Sequence, residues 1–234
     1  MENNHIIKIK DLVKIYPMGM RKLTALQDIN LSIKKGEFTG VVGPSGSGKT
    51  TLLNIIGALD HPTKGYAEVL GHKIESLTDT KAAKLRNQNV GFIFQSYNLL
   101  PIYSVYENVE LPLLLLDMDK PKRREMVKEA LDWLGILDKI DSKPSQLSGG
   151  ERQRVSVARA MVKRPEIVLA DEPTANLDSK NAHNILERMV KLNEELETTF
   201  IFASHDHKVI QYLRRQIVLE DGRVSEDERK SPDH

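Results

Sequence analysis

A glycine-rich run set between an apolar strand and a helix constrains this chain more than any other feature. Phe38 to Val42 reads as a short buried strand, and it leads straight into Gly43-Pro44-Ser45-Gly46-Ser47-Gly48-Lys49-Thr50-Thr51. Gly43 to Thr50 fits G-x-x-x-x-G-K-[S/T], in which the glycines let successive backbone N–H groups turn toward phosphate oxygens. A helix predicted from Lys49 to Ala58 adds the favourable potential of its N-terminus. In such a loop Lys49 reaches the outer phosphates and the Thr50 hydroxyl ligates Mg²⁺. An ordinary glycine turn is the competing reading, and the strand before and helix after weigh against it.

Strand-like and helix-like segments alternate along the rest of the chain, which implies an α/β fold with a largely parallel sheet. Ile6 to Tyr16 and Leu23 to Ile33 read as two strands of an N-terminal β region. Val90 to Phe94, Ile167 to Ala170 and Thr199 to Ala203 are further apolar strands. Ile102 to Asp141 carries little strand signal. Met126, Ala130, Trp133 and Leu134 lie on one helical face, so this region reads as an inserted helical subdomain. Ile185, Met189, Leu192 and Leu196 form another helical stripe. The tail from Ser225 is charged, contains Pro232, and is predicted to be frayed.

Two further segments carry chemistry. Ile167-Val168-Leu169-Ala170-Asp171-Glu172 is a strand buried on both faces that ends in acids. Ligands of open α/β sheets bind at the carboxyl ends of strands, so Asp171 suits the Mg²⁺ shell and Glu172 suits a general base. An acidic loop start before Pro173 is the bland alternative. The second segment is a further glycine loop, Leu147-Ser148-Gly149-Gly150-Glu151-Arg152-Gln153-Arg154. Ser148 and Glu151 have the spacing of a helix capping box. Capping alone does not account for both glycines, which leave the helix N-terminus bare enough for an anion to approach.

Composition limits the alternatives. Charged residues make up 29% of the 234, yet the formal net charge is +1, which gives no electrostatic case for nucleic acid. Cysteine is absent, which removes disulfides, thiolate nucleophiles and cysteine-ligated zinc. The start lacks the basic and apolar regions of a secretory signal. The most apolar stretch, Val109 to Leu116, is far short of a membrane span. The expected location is cytoplasmic, with any membrane role exercised through a partner.

Leu147 to Arg154 resembles the signature motif of the ATP-binding cassette (ABC) ATPases, and the other motifs of that family are present in order. Tyr16 matches the aromatic that stacks on adenine, Gln95 the glutamine loop, Asn176-Leu177-Asp178 the D-loop, and His205 the switch histidine. Asn54 to Asp60, Phe92 to Gln95 with Asn98 to Pro101, and Glu107 to Pro112 are similar to the lipoprotein-releasing and macrolide-export ATPases. The resemblance covers nearly the whole chain. It implies a P-loop NTPase (RecA-like) core with an N-terminal antiparallel β subdomain and an inserted α-helical subdomain. Core and β subdomain would take residues 1–95 and 155–224, the helical subdomain 96–154, and the charged tail 225–234.

The resemblance further implies ATP and Mg²⁺ as cofactors. Tyr16 and the loop Gly43, Pro44, Ser45, Gly46, Ser47, Gly48, Lys49, Thr50 and Thr51 would hold the nucleotide. Thr50, Gln95 and Asp171 would serve the metal, and Glu172, His205, Gln95 and Lys49 catalysis. Ser148, Gly149 and Gly150 would close over the ATP of a second copy, paired head to tail. The expected partner is an integral membrane permease docking on Asn98 to Leu116, with the chain peripheral on the inner face of the membrane. Core packing is an equal reading for Leu113 to Leu116. A soluble ABC ATPase acting on nucleic acid or ribosomes is the alternative function, disfavoured by the short insert and absent cysteine. Cargo is a property of the permease, so lipoprotein release, peptide or drug export and mechanical signalling stay open.

Overall fold

A computed structural model describes residues 4–19 and 21–230 of the chain. It begins with a long antiparallel hairpin, β1 (His5–Met18) and β2 (Arg21–Lys34). Leu12, Leu26, Ile29 and Ile33 turn from this hairpin into the interior. Next come β3 (Phe38–Val42), α1 (Lys49–Ile56), β4 (Lys64–Val69), β5 (His72–Lys73), α2 (Asp79–Asn89) and β6 (Val90–Ile93). The insert supplies α3 (Val105–Leu114) and α4 (Lys120–Trp133), and α5 (Gly149–Met161) returns the chain to β7 (Ile167–Asp171). The C-terminal part holds α6 (Ser179–Leu196), β8 (Thr199–Ser204), α7 (His207–Ile210), β9 (Arg215–Glu220) and β10 (Arg223–Arg229).

Two sheets result. One is antiparallel, in the order β2-β1-β4-β5; the other runs β10-β9-β3-β8-β7-β6. In the second, β6, β7, β8, β3 and β9 are mutually parallel and only the edge strand β10 is antiparallel. β3 and β8 are buried along their whole length, as a sheet covered on both faces requires. Ile55, Leu52, Leu169 and Ile201 share one core with the antiparallel sheet. Phe38, Phe200 and Phe202 share the other with the insert and α6. The α/β class, the β subdomain and the helical insert are all present.

Details depart from expectation in instructive ways. The buried face of α4 is Val127, Ala130 and Leu131, continued by Leu134, while Met126 and Trp133 pack at its margin. Ile185, Met189 and Leu192 of α6 are buried as the stripe required, with Leu196 half-buried. The expectation of a frayed tail fails over Ser225 to Arg229, which lie in β10 paired with β9. Charge holds that strand: Arg215, buried in β9, grips Asp227 with two bonds of 2.7 Å, and Arg229 reaches Glu37 at 2.9 Å. Pro232 lies outside the described residues. Residue 154, the expected end of the insert, falls in the middle of the unbroken helix α5. Among the described residues no helix is long and apolar enough to cross a membrane.

Candidate nucleotide-binding site

A cavity of about 540 Å³ opens at the carboxyl ends of the parallel strands, between them and the β1–β2 hairpin. The loop after β3 forms its floor. Gly43, Gly46 and Gly48 have φ of 149°, 81° and 105°. A Cβ at Gly43 would stand 2.1 Å from the Leu219 carbonyl oxygen, so glycine is required there on steric as well as conformational grounds. α1 begins directly after this loop, at Lys49, aiming its first N–H groups at the cavity. The Lys49 ammonium donates to the carbonyls of Gly43 (2.7 Å) and Pro44 (2.8 Å), which keeps a cation at the loop.

Thr50 Oγ1 donates to Asp171 Oδ2 at 3.0 Å, joining the start of α1 to the end of β7. Burial pushes the Asp171 carboxyl up and neighbouring Glu172 adds to this, against the hydrogen bond from Thr50 and the charge of Lys49. A hydroxyl and an under-compensated carboxylate make a pair of hard oxygen donors. Such a pair fits Mg²⁺, which takes few protein ligands and keeps waters and phosphate oxygens for the rest.

Glu172 sits one residue past the strand with φ of 46°, a left-handed conformation that turns its side chain into the cleft. Two neighbours orient the carboxylate. Ser204 Oγ donates to Oε2 at 2.7 Å, and His205 Nδ1 lies 2.5 Å from Oε1. With Glu172 ionised, that contact places the ring proton on Nδ1. His205 itself does not line the cavity; it reaches the site through Glu172.

Tyr16 lines the same cavity from the β1–β2 hairpin. Its hydroxyl donates to Asp60 Oδ2 at 2.7 Å and its ring lies 4.7 Å from the Lys14 ammonium. Burial and the Asp60 carboxylate raise the phenol above its ordinary value, so it stays neutral. Gln95 lines the same cavity from the loop after β6, and its backbone carbonyl accepts from Asn176 Nδ2 at 2.8 Å. That bond ties the glutamine loop to the Asn176-Leu177-Asp178 segment.

Ser148, Gly149 and Gly150 are not among the residues lining this cavity. They stand at the head of α5. Ser148 Oγ accepts from the Glu151 N–H at 3.3 Å and Glu151 Oε2 accepts from the Ser148 N–H at 2.7 Å, so the capping box is real. The Ser148 N–H, and with it the hydroxyl, holds the Glu151 carboxyl below its usual range. Ser148 itself remains exposed. The chain therefore presents one loop-and-acid cleft and, outside its lining, a second glycine-bearing helix terminus.

Several contributors carry no motif of their own. Asp60 anchors Tyr16, and Thr24, Ala25, Asp221 and Gly222 complete the walls. Thr174 Oγ1 donates to Asp206 Oδ2 at 2.9 Å, bracing the loop that bears Glu172. The only sequence signal for these is proximity to recognised motifs, since Asp60 ends the segment Asn54 to Asp60 and Asp206 is the neighbour of His205.

Similarity to known proteins agrees with this geometry. Residues 26–175 match the family model described as ABC transporter. An ABC transporter ATP-binding protein of Methanocaldococcus jannaschii, MJ0796, is 44% identical over 228 residues, covering 96% of this chain and 97% of that one. The lipoprotein-releasing system ATP-binding protein LolD of Bordetella pertussis is 41% identical over 221 residues, covering 94% and 96%. A dimeric structure of MJ0796 in a post-hydrolysis state with ADP and Pi aligns with a TM-score of 0.88 at 43% identity, covering 95% and 98%. With the glycine loop, Tyr16, Gln95, Asp171 and Glu172 gathered around one cleft and its relatives matched almost end to end, this chain belongs to the ABC transporter family, as an ATP-binding cassette that hydrolyses ATP.

Proposed function

We propose that two copies of this chain close head to tail around two ATP and drive a separate membrane permease of the lipoprotein-releasing or macrolide-export type. The observation that carries this reading is the split arrangement of the two glycine loops. Gly43 to Thr51 sits in the cleft beside Asp171 and Glu172, while Ser148 to Gly150 lies outside its lining, with Ser148 exposed at the head of α5. A second copy turned to face the first would lay its signature over this nucleotide. The dimeric relative supports that pairing.

Within one site each group has a task. Tyr16 offers its ring to the adenine, and its bond to Asp60 fixes the ring's plane. Loop N–H groups and Lys49 take the β- and γ-phosphates. Thr50 and Asp171, with Gln95 nearby, would hold Mg²⁺, which would supply charge neutralisation at the phosphates. Glu172, held by Ser204 and His205, accepts the proton of the attacking water. His205 would act on the γ-phosphate through Glu172, whose carboxylate its ring contacts. Hydrolysis removes the contact joining the two copies, so the dimer reopens and the output is motion.

The permease would dock beside Gln95, on the segment Asn98 to Leu116. Leu100, Ile102, Leu114 and Leu115 are exposed there, and association with the membrane would come through that contact. Substituting Leu100 or Tyr103 should abolish transport with basal hydrolysis unchanged, measured with the co-purified permease in vesicles; a parallel fall in both would overturn the docking assignment.

The decisive test of the catalytic assignment is Glu172→Gln. It should leave ATP binding intact, lower hydrolysis by at least about a hundred-fold, and accumulate an ATP-bound dimer on size-exclusion chromatography. Full residual turnover, or a protein that stays monomeric with ATP, would refute it.

A further inference from the structure

Gln153 lies one turn into α5, directly behind the signature, and is 1% exposed. Its Nε2 donates to the Pro173 carbonyl at 2.6 Å. A carbonyl can accept only from the amide nitrogen, so chemistry fixes the orientation of the side chain. Among the described residues its Oε1 is buried without a partner. The bond to Pro173 is therefore the one hydrogen bond this amide makes, although it is buried in a helix where leucine would pack without desolvating a polar group.

Pro173 comes directly after Glu172, whose φ of 46° demands support from its surroundings. The loop is held at three successive residues. Ser204 and His205 hold the Glu172 carboxylate, Gln153 holds the Pro173 carbonyl, and Asp206 holds the Thr174 hydroxyl. The first and last of these supports come from Ser204 at the end of β8 and from the adjoining His205 and Asp206. Only Gln153 comes from the helix that carries the signature.

We infer that Gln153 is a positioning residue that ties the signature helix to the loop bearing the catalytic carboxylate of its own chain. This rests on Glu172 being the base and on the signature meeting the partner's nucleotide, as the proposed function has it. A shift of Ser148 to Gly150 on meeting that nucleotide passes along α5 and through one hydrogen bond to Pro173. The base of one site is thus set by occupancy of the other. The bland account is that Gln153 merely fills the core and satisfies a buried carbonyl.

Two variants of the full-length protein separate these accounts. Gln153→Met keeps the length and removes the donor. Gln153→Glu keeps the shape and donates only when protonated. Both should lower kcat about ten-fold near pH 8 with KM for ATP unchanged, one lost hydrogen bond with some loss of alignment. The ratio of Q153E to wild-type kcat should rise as pH falls, whereas the Q153M ratio should stay flat. A Q153E ratio that stays flat, or wild-type kcat in both variants, would overturn the inference. The pH ratio is read within one folded variant, so it stands even if Q153M unfolds. Glu172→Gln run alongside keeps the premises apart: an active E172Q refutes the base, while an inactive E172Q with fully active Gln153 variants refutes only the positioning.

Discussion

In the proposed dimer Ser148 has two tasks that one pair of substitutions can pull apart. Its Oγ caps α5 by accepting from the Glu151 N–H, and its exposed hydroxyl would turn from the Glu151 carboxylate to a phosphate of the facing copy. Ser148→Ala removes both functions. Loss of an N-cap costs about 1 kcal/mol, which in a domain of this size lowers Tm by about 2–4 °C. Ser148→Asp keeps a competent cap, and its charge suits a helix N-terminus, so Tm should stay within about 1 °C of wild type. The same charge would face phosphate oxygens in the closed dimer. At about 4 Å and an effective dielectric near 20, one like-charge contact is worth about 4 kcal/mol, equivalent to about a thousand-fold in dimer closure. The assays are thermal unfolding by circular dichroism and steady-state hydrolysis at saturating ATP. S148D should be as stable as wild type and nearly inactive, with S148A less stable and partly active. Wild-type hydrolysis by S148D would show that Ser148 is only a cap, and the head-to-tail site would fail with it.

Other predictions concern the charges. Arg215→Met should destabilise the protein by about 3 kcal/mol in urea unfolding, because it removes the buried partner of Glu37, leaving that carboxylate to the exposed Arg229, and frees Asp227. A Tm equal to wild type for a chain cut before Ser225 would contradict the role given to β10, whose loss removes the bonds from Asp227 and Arg229; a clear fall is expected. Asp171→Asn should abolish Mg²⁺-dependent hydrolysis yet stabilise the nucleotide-free protein at neutral pH. Burial and Glu172 raise the folded-state pKa of Asp171, so its contribution to stability is fully present below the unfolded pKa and is lost as pH rises through the folded one. Unfolding of wild type and D171N should therefore diverge as pH climbs from the carboxylate range to neutrality.

Features encoded by neighbours along the chain are legible without a structure. The phosphate loop is a local pattern between strand and helix, and the cleft contains Gly46, Gly48, Lys49, Thr50 and Thr51 from it. Asp171 and Glu172 are legible because an apolar run of four residues ends in them, and a buried parallel strand must end at the ligand edge. Pairings between distant segments are not legible. Asp60 could not be assigned to Tyr16, nor Gln153 to Pro173, because each bond joins residues brought together only when helix packs on sheet. The α4 stripe is displaced by one position for a similar reason. Met126 and Val127 are both apolar, and the packing angle against α3 and α5 decides which of them is buried.

The charged tail shows the limit most plainly. Ser225-Glu226-Asp227-Glu228-Arg229 has no apolar alternation to mark a strand, and strand propensity alone argues against one. It forms because β9 offers an edge, and because a buried arginine on that edge needs carboxylates. Residue order suffices for the chemistry: which loop takes phosphate, which acid suits the proton, and which family the chain resembles. Packing in three dimensions is what puts one glycine loop in the cleft and leaves the other out of its lining, and what brings the amide behind the second onto the loop that bears Glu172. The difference is one of range. Motifs are set by backbone conformation over a few residues, whereas coupling needs distant segments to pack before any buried polar groups can meet.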